Sequence, residues 1–396
     1  MSFFSLFRDT AESVVLIDIG SASVAGTYAR FENGKKPALY YTARVPIRAR
    51  QGESALANME RALASLAKTL VHEGAPAFAR ATGSGSVDRV IVSVASLWQE
   101  TRVHTERMSK ETPFRFTQHL MDDLVEKSAA PAQGRTPTTE MVIATRLNGY
   151  DVTNPFGKMV SEAEVVALSS SLAQDAAETI SRVLRRTFHT SDIALTAFAP
   201  VMFLALRDLF TLEKDFFVMD VSGETTDLLL VKDAVLREAM SVPHGLNELR
   251  RAAIEAGLDS AAPDGPIRAV KETVLLDSAH NSRFAAHMQA AREAWVKGLA
   301  DAFRTLMANY ALPHTLFLLA DESAHEFLTH ILQDPDFRSL WLSDEPMQVR
   351  YIDPGQLAPF VAHHGRSKGD TFLSMLALYA VKEKDLADSV VHGSAH

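Results

Sequence analysis

The chain has 396 residues, 47% of them hydrophobic and 22% charged, an ordinary globular composition with length for two or three domains. Its 40 basic and 49 acidic residues leave a net charge of −9, which argues against general nucleic-acid binding. With no cysteine, disulfides, thiolate zinc sites and cysteine catalysis are excluded, and a reducing cytosol suits the chain.

The first residues, MSFFSLFRDTAE, lack the apolar stretch of a signal peptide. Phe3, Phe4, Leu6 and Phe7 either pack on the first domain or dock on lipid or a partner. Strands are predicted at 14–19, 24–31 and 38–46, where β-branched or alternating apolar residues gather. A helix follows near 54–72, with Leu56, Met59, Leu63, Leu66 and Leu70 at helical spacing. A Gly/Ser-rich loop spans 81–88, and VIVSVA at 90–95 reads as a buried strand.

Residues 97–168 change character. They read as a strand, a helix over FTQHLMDDLVEKSA, a Pro/Gly/Thr loop at 131–138, and strands around EMVIATRLNGYDV and EAEVVALSSS. This is a small α+β unit inserted into a larger one, to which the helix at 173–188 and the strand IALTAFA return. FAPVMFLALRDLF at 198–210 is too short for a membrane span and carries Arg207 and Asp208.

The second half opens with FFVMDV, then strands at 226–232 and 235–242 and a helix after Pro243-His244-Gly245. A long helix over 283–310 carries one apolar stripe, from Phe284 and Met288 through Trp295, Phe303 and Tyr310, which reads as core. TLFLLAD, a helix over 323–334, MQVRYI and a closing helix at 370–381 complete the chain. The expected units are therefore 1–96 with 169–212, the insert 97–168, a second half 213–382 and a tail 383–396.

One gesture occurs twice. VVLIDIGSASVAGTYARF at 14–31 and FFVMDVSGETTDLLLVK at 216–232 each run an apolar strand into an aspartate, turn tightly, and resume a strand. Asp18 matches Asp220, Ile19 matches Val221 and Ser23 matches Thr225. A carboxylate ending a buried strand is costly unless something neutralises it. Magnesium, which takes few protein carboxylates and phosphate oxygens from its substrate, would do so. Tight turns of small residues expose backbone N–H groups that hold phosphate. Gly20, Ser21, Ser23, Gly223, Thr225 and Thr226 are the candidate ligand contacts, and Asp18 and Asp220 the candidate metal carboxylates. No G-x-x-x-x-G-K-[ST] and no strand-linked G-x-G-x-x-G competes. His325, His330, His363 and His364 lack zinc spacing and read as surface or packing residues.

On these two turns the sequence resembles the actin-like ATPase superfamily, in its bacterial FtsA and PilM branch. RLNGYDVTNPFGK at 146–158, AVLREAMSVPHGLNELRRA after the second turn, VRYIDPGQ and KGDTFLSMLALYA fall in the family's order. The resemblance implies two RNase H-like α/β halves around a nucleotide cleft, with ATP and Mg2+ as cofactors. It also implies at most a slow ATPase; Glu224, which stands where the family has a glycine, could bind magnesium, act on a water as the catalytic candidate, or repel the ligand. The sequence departs from the family where Ser222 and Glu224 replace glycines, and where Asp321-Glu322-Ser323 stands in place of an adenosine-holding glycine turn. Ser323 is then the remaining contact there; Lys271 and Glu272 either reach the ribose or base or are surface residues of a solvated helix. The closing helix keeps one glycine, Gly369.

The implied role is a cytoplasmic scaffold at the inner face of the membrane. Its partner is a division filament protein or a pilus inner-membrane protein, with self-assembly open. Membrane association is expected to be indirect, because EKDLADSVVHGSAH lacks an amphipathic face. A pseudo-ATPase adaptor without nucleotide is the alternative, and a small-molecule kinase of the same superfold a further one.

Overall fold

A computed structural model of the chain describes residues 11–129, 132–255, 282–332, 337 and 347–393. The first strands, β1 (Glu12–Ile19), β2 (Ser23–Phe31) and β3 (Ala38–Pro46), form an antiparallel meander. Helix α1 (Ala55–Thr69) is capped by Ser54, whose hydroxyl accepts the Ala57 amide. It continues through a π turn at Leu70–Gly74 into α2 (Ala75–Thr82). Gly74 is required there, because a Cβ would lie 2.9 Å from the Tyr28 ring. Strand β4 (Arg89–Val94) then lies parallel to β1.

The inserted unit is a four-stranded antiparallel sheet under one helix. It comprises β5 (Gln99–Arg115), α3 (Gln118–Ala129), β6 (Arg135–Leu147), β7 (Tyr150–Asp151) and β8 (Met159–Ala173), in the order β5-β8-β6-β7. The loop expected over 131–138 is shorter. Strand β6 begins at Arg135 and absorbs Pro137 by a shift of register between Pro137 and Thr139. Helix α4 (Gln174–Phe188), β9 (Ile193–Ala197) and α5 (Phe198–Leu209) return to the first half.

The second half repeats the first. Strands β10 (Phe216–Val221), β11 (Thr226–Lys232) and β12 (Val235–Val242) form a meander, followed by α6 (Leu246–Glu255) and α7 (Ser282–Met307). In α7 the predicted stripe is core from Ala291 on, with Ala291, Trp295, Leu299, Phe303 and Leu306 buried and Tyr310 half-buried, while the side chains of Phe284 and Met288 lie outside those described. Strand β13 (Thr315–Ala320) lies parallel to β10. After it come α8 (His325–Leu332), β14 (Gln348–Tyr351) and α9 (Pro354–Leu357). Sheet orders are β3-β2-β1-β4-β9 and β12-β11-β10-β13-β14, one pattern twice.

The chain then leaves the second half. Strand β15 (Ala362–Arg366) pairs in parallel with β3 on the first sheet, and α10 (Thr371–Gly393) packs on α5, β1 and β2. The second half expected over 213–382 therefore gives its last strand and helix to the first. The closing helix also runs past the expected 381, through residues expected to be a tail. Helices α5 and α10 lie in one shared core between the sheets, touching Val14 and Leu16 of β1 and Phe216 and Val218 of β10.

Candidate functional site

That shared core explains why the two aspartates meet. Side chains alternate along a strand. Val14 and Leu16, then Phe216 and Val218, face the core between the sheets. The same alternation brings Asp18 and Asp220 to that side where β1 and β10 end. Both are buried, and both line the floor of a cleft of about 590 Å³ between the halves.

Asp18 is the partnered one. Its Oδ1 accepts the Ser93 hydroxyl at 2.9 Å, and Arg44 Nη2 lies 3.9 Å from its Oδ2. Strand register sets this up, since Asp18 pairs with Ala25 and Ala25 with Arg44. The small Ala25 lets the guanidinium reach across. Arg44 also donates to Asp370 Oδ2 at 2.7 and 3.1 Å and to Ser23 Oγ at 2.7 Å. Asp370 in turn caps α10, its Oδ1 accepting the Leu373 amide. Burial pushes the Asp18 carboxyl up to about 6, with Arg44 pulling the other way.

Asp220 has less help, the charge of Arg44 acting on it only as the smallest influence. Its Oδ1 is buried without a hydrogen-bond partner. Burial first, then the charges of Asp227 and Asp18, hold it well above the usual carboxylate range. Asp227 stands directly opposite it on β11, and burial raises that carboxyl as well. Asp227 opens onto a second cavity of about 420 Å³, shared with Ser96, Glu238 and Ser241.

Of the residues predicted from sequence, Asp18, Gly20, Ser23 and Asp220 line the main cleft. Four others turn away. Thr226 faces the opposite side of β11 from Asp227, so its hydroxyl donates to His244 O and accepts the Trp295 indole N–H. Thr225 bonds the Ser96 carbonyl. Gly223 is hemmed in by Ala22 and Asn247, whose atoms lie 2.9 and 2.6 Å from where a Cβ would stand. Ser21 bonds the second turn. Glu224, the catalytic candidate, is held on α6 by Asn247 and Arg251 at 2.8 and 2.9 Å, outside the cleft. The backbone of Ser323 lies in a single 3-10 turn, Glu322–Ala324. Lys271, Glu272 and the N-terminal Phe3, Phe4, Leu6 and Phe7 lie outside the described residues.

Sequence reasoning missed Arg44, Asp370, Asp227 and Arg250. Arg250 lines the cleft with its Nε buried and unpartnered, Nη1 bonding Asn247. It also missed His325, read as a packing residue, whose ring stacks on Tyr351 in the cleft wall at 3.9 Å. Arg44 had a signal, a lone cation interrupting the strand ALYYTARVP beside Asp18's hairpin. Asp227 had one too, as the third acid of DVSGETTD.

These groups do not fit a magnesium triphosphate. Asp18 already has a cation in Arg44. The cleft lining carries six carboxylates, Asp18, Asp220, Asp321, Glu322, Asp353 and Asp370, against two guanidiniums, Arg44 and Arg250. Replacing Arg44 by glutamine is expected to cost roughly 2 kcal/mol, because Asp370 loses its donor and buried Asp18 loses the nearby positive charge. Urea denaturation of the variant checks this, and an unchanged midpoint would show the cluster to be solvated surface.

Two meander-led sheets facing a cleft across a shared pair of helices define the actin-like ATPase fold, and the chain has it. It is similar to a chain of the PilM–PilN type IV pilus biogenesis complex, at 16% identity over 92% of this chain and 97% of that one, with a TM-score of 0.58. A Bacteroides thetaiotaomicron protein with an actin-like ATPase fold and unknown function matches at 11% identity over 96% and 98%, with a TM-score of 0.41. No protein-family profile and no curated protein sequence matches the chain.

Proposed function

We propose that the chain is an actin-like adaptor of the FtsA/PilM type, held at the inner face of the cell membrane by a membrane-protein partner in pilus assembly. The observation that carries the reading is the likeness to the PilM–PilN complex, which extends over nearly all of both chains. Among the described residues no helix is long and apolar enough to cross a membrane, which is consistent with recruitment through a partner. The inserted sheet, β5 to β8, is the surface proposed to present the partner's cytoplasmic segment. ATP and magnesium are left out of this reading, because Arg44, Glu224 and the two turns are committed to other contacts. The adaptor is thus favoured over a slow ATPase, and over a kinase, which would need a free catalytic base.

Flotation with phosphatidylethanolamine–phosphatidylglycerol vesicles tests the proposal. The purified chain is expected to stay with the soluble fraction. It should float when the vesicles carry an inner-membrane pilus protein with its cytoplasmic peptide. Strong flotation without that protein, unchanged when residues 1–8 are removed, would overturn the partner requirement.

A further inference from the structure

We infer that the two aspartate turns are a latch between the halves that needs no nucleotide. The first turn, 20–23, and the second, 222–225, touch each other directly. Ser21 Oγ accepts the Glu224 amide at 2.8 Å, and Ser222 Oγ accepts the Ser21 amide at 3.3 Å. The two hydroxyls are themselves bonded at 2.9 Å. Two backbone donors, one on each turn, are thereby satisfied by the hydroxyl of the opposite turn. In an open pair of turns such amides face an anion.

The glycine in the second turn serves the same contact. A Cβ at Gly223 would stand 2.9 Å from Ala22 Cβ, so the small residue lets the halves close. The second turn is also fastened from behind. The first amides of α6, Leu246 and Asn247, donate to Ser222 O and Gly223 O at 3.0 and 2.7 Å. The N-terminus of α6 is therefore spent on the turn. Arg44 completes the device by standing where a cation would meet Asp18, while reaching Asp370 at the start of α10. Hydroxyl, guanidinium and helix end each take the place of a ligand group. The halves are closed by the chain's own side chains, in one arrangement whatever the nucleotide level. The inference concerns the cleft and stands apart from the partner reading.

Two measurements on the full chain test it. Thermal melts with Mg-ATP, Mg-ADP and pyrophosphate at millimolar concentration are expected to show no saturable shift. A saturable shift with Mg-ATP, accompanied by protection of the Ser21 and Glu224 amides, would overturn the latch. In the S21A/S222A variant, hydrogen exchange at those two amides is expected to speed up roughly tenfold or more. Exchange in β6 and β8 should be unchanged, which reports that the variant is folded. Unchanged exchange at the two amides would equally overturn it. Flotation with the partner is read separately, so loss of the latch leaves the adaptor proposal standing.

Discussion

Gly245→Ala is expected to destabilise the chain by about 3 kcal/mol, the sum of overpacking and of two weakened hydrogen bonds. A Cβ at this position would lie 2.5 Å from Gly223 O and 2.7 Å from Ser222 O. Those are backbone atoms, so no side chain can swing aside. They are also the acceptors for the first two amides of α6. Adding one methyl group therefore pushes the helix off the turn and breaks what fastens it. The shift propagates to Asn247 and Arg251, which hold Glu224. The check is a urea denaturation midpoint together with hydrogen exchange across α6. A loss below about 0.5 kcal/mol would mean that α6 docks more loosely than the contact distances state.

Much of this arrangement was legible in the sequence. Two strand–aspartate–turn–strand stretches, half a chain apart, marked the repeat, and the family resemblance built on them implied two halves facing a cleft, where Asp18 and Asp220 are found together. The alternation that drives the convergence is a local property of each strand, which is why it could be read. Thr226 was misread against that rule. Its neighbour Asp227 shares the face of Asp220, so Thr226 had to point into the other core, beside Trp295. Gly223 reads from sequence as a backbone contact for phosphate, whereas its open side is taken by Ala22 from a turn about 200 residues earlier. No local pattern encodes that contact.

Arg44 and Asp370 were invisible for a related reason. They are 326 residues apart and join only because β15 and α10 return to the first sheet. Strand β15, AHHGR, is short, polar and at a sheet edge, so it carries no periodic apolar signal. Missing it left the closing helix with the wrong half. It also left Asp18 with no visible partner, and that made a metal the natural candidate for its neutralisation.

The buried aspartates Asp18 and Asp220 make the stability of the chain fall as pH rises. An aspartate whose carboxyl is raised on folding keeps its proton longer in the folded state, so between the two values the folded state binds more protons. Stability from such a group is fully present below its unfolded value and is lost as pH rises through its folded one. For Asp18 the window runs from 3.8 to about 6, a loss of roughly 3 kcal/mol. For Asp220 the loss continues to higher pH, because burial and the charges of Asp227 and Asp18 hold it further up. Asp220→Asn removes that second contribution while keeping size and shape. Near pH 4 parent and variant should unfold at the same urea concentration, and the variant should gain steadily toward pH 8. A variant less stable than the parent at pH 8 would show that the charged form of Asp220 has a partner in the folded chain. Repeating the series with millimolar magnesium separates the two ways of supplying one. If Arg44 and the latch are complete, magnesium leaves the slope with pH unchanged. A slope that flattens in the parent and not in Asp220→Asn would put the cation on Asp220, and the cleft would be a metal site after all.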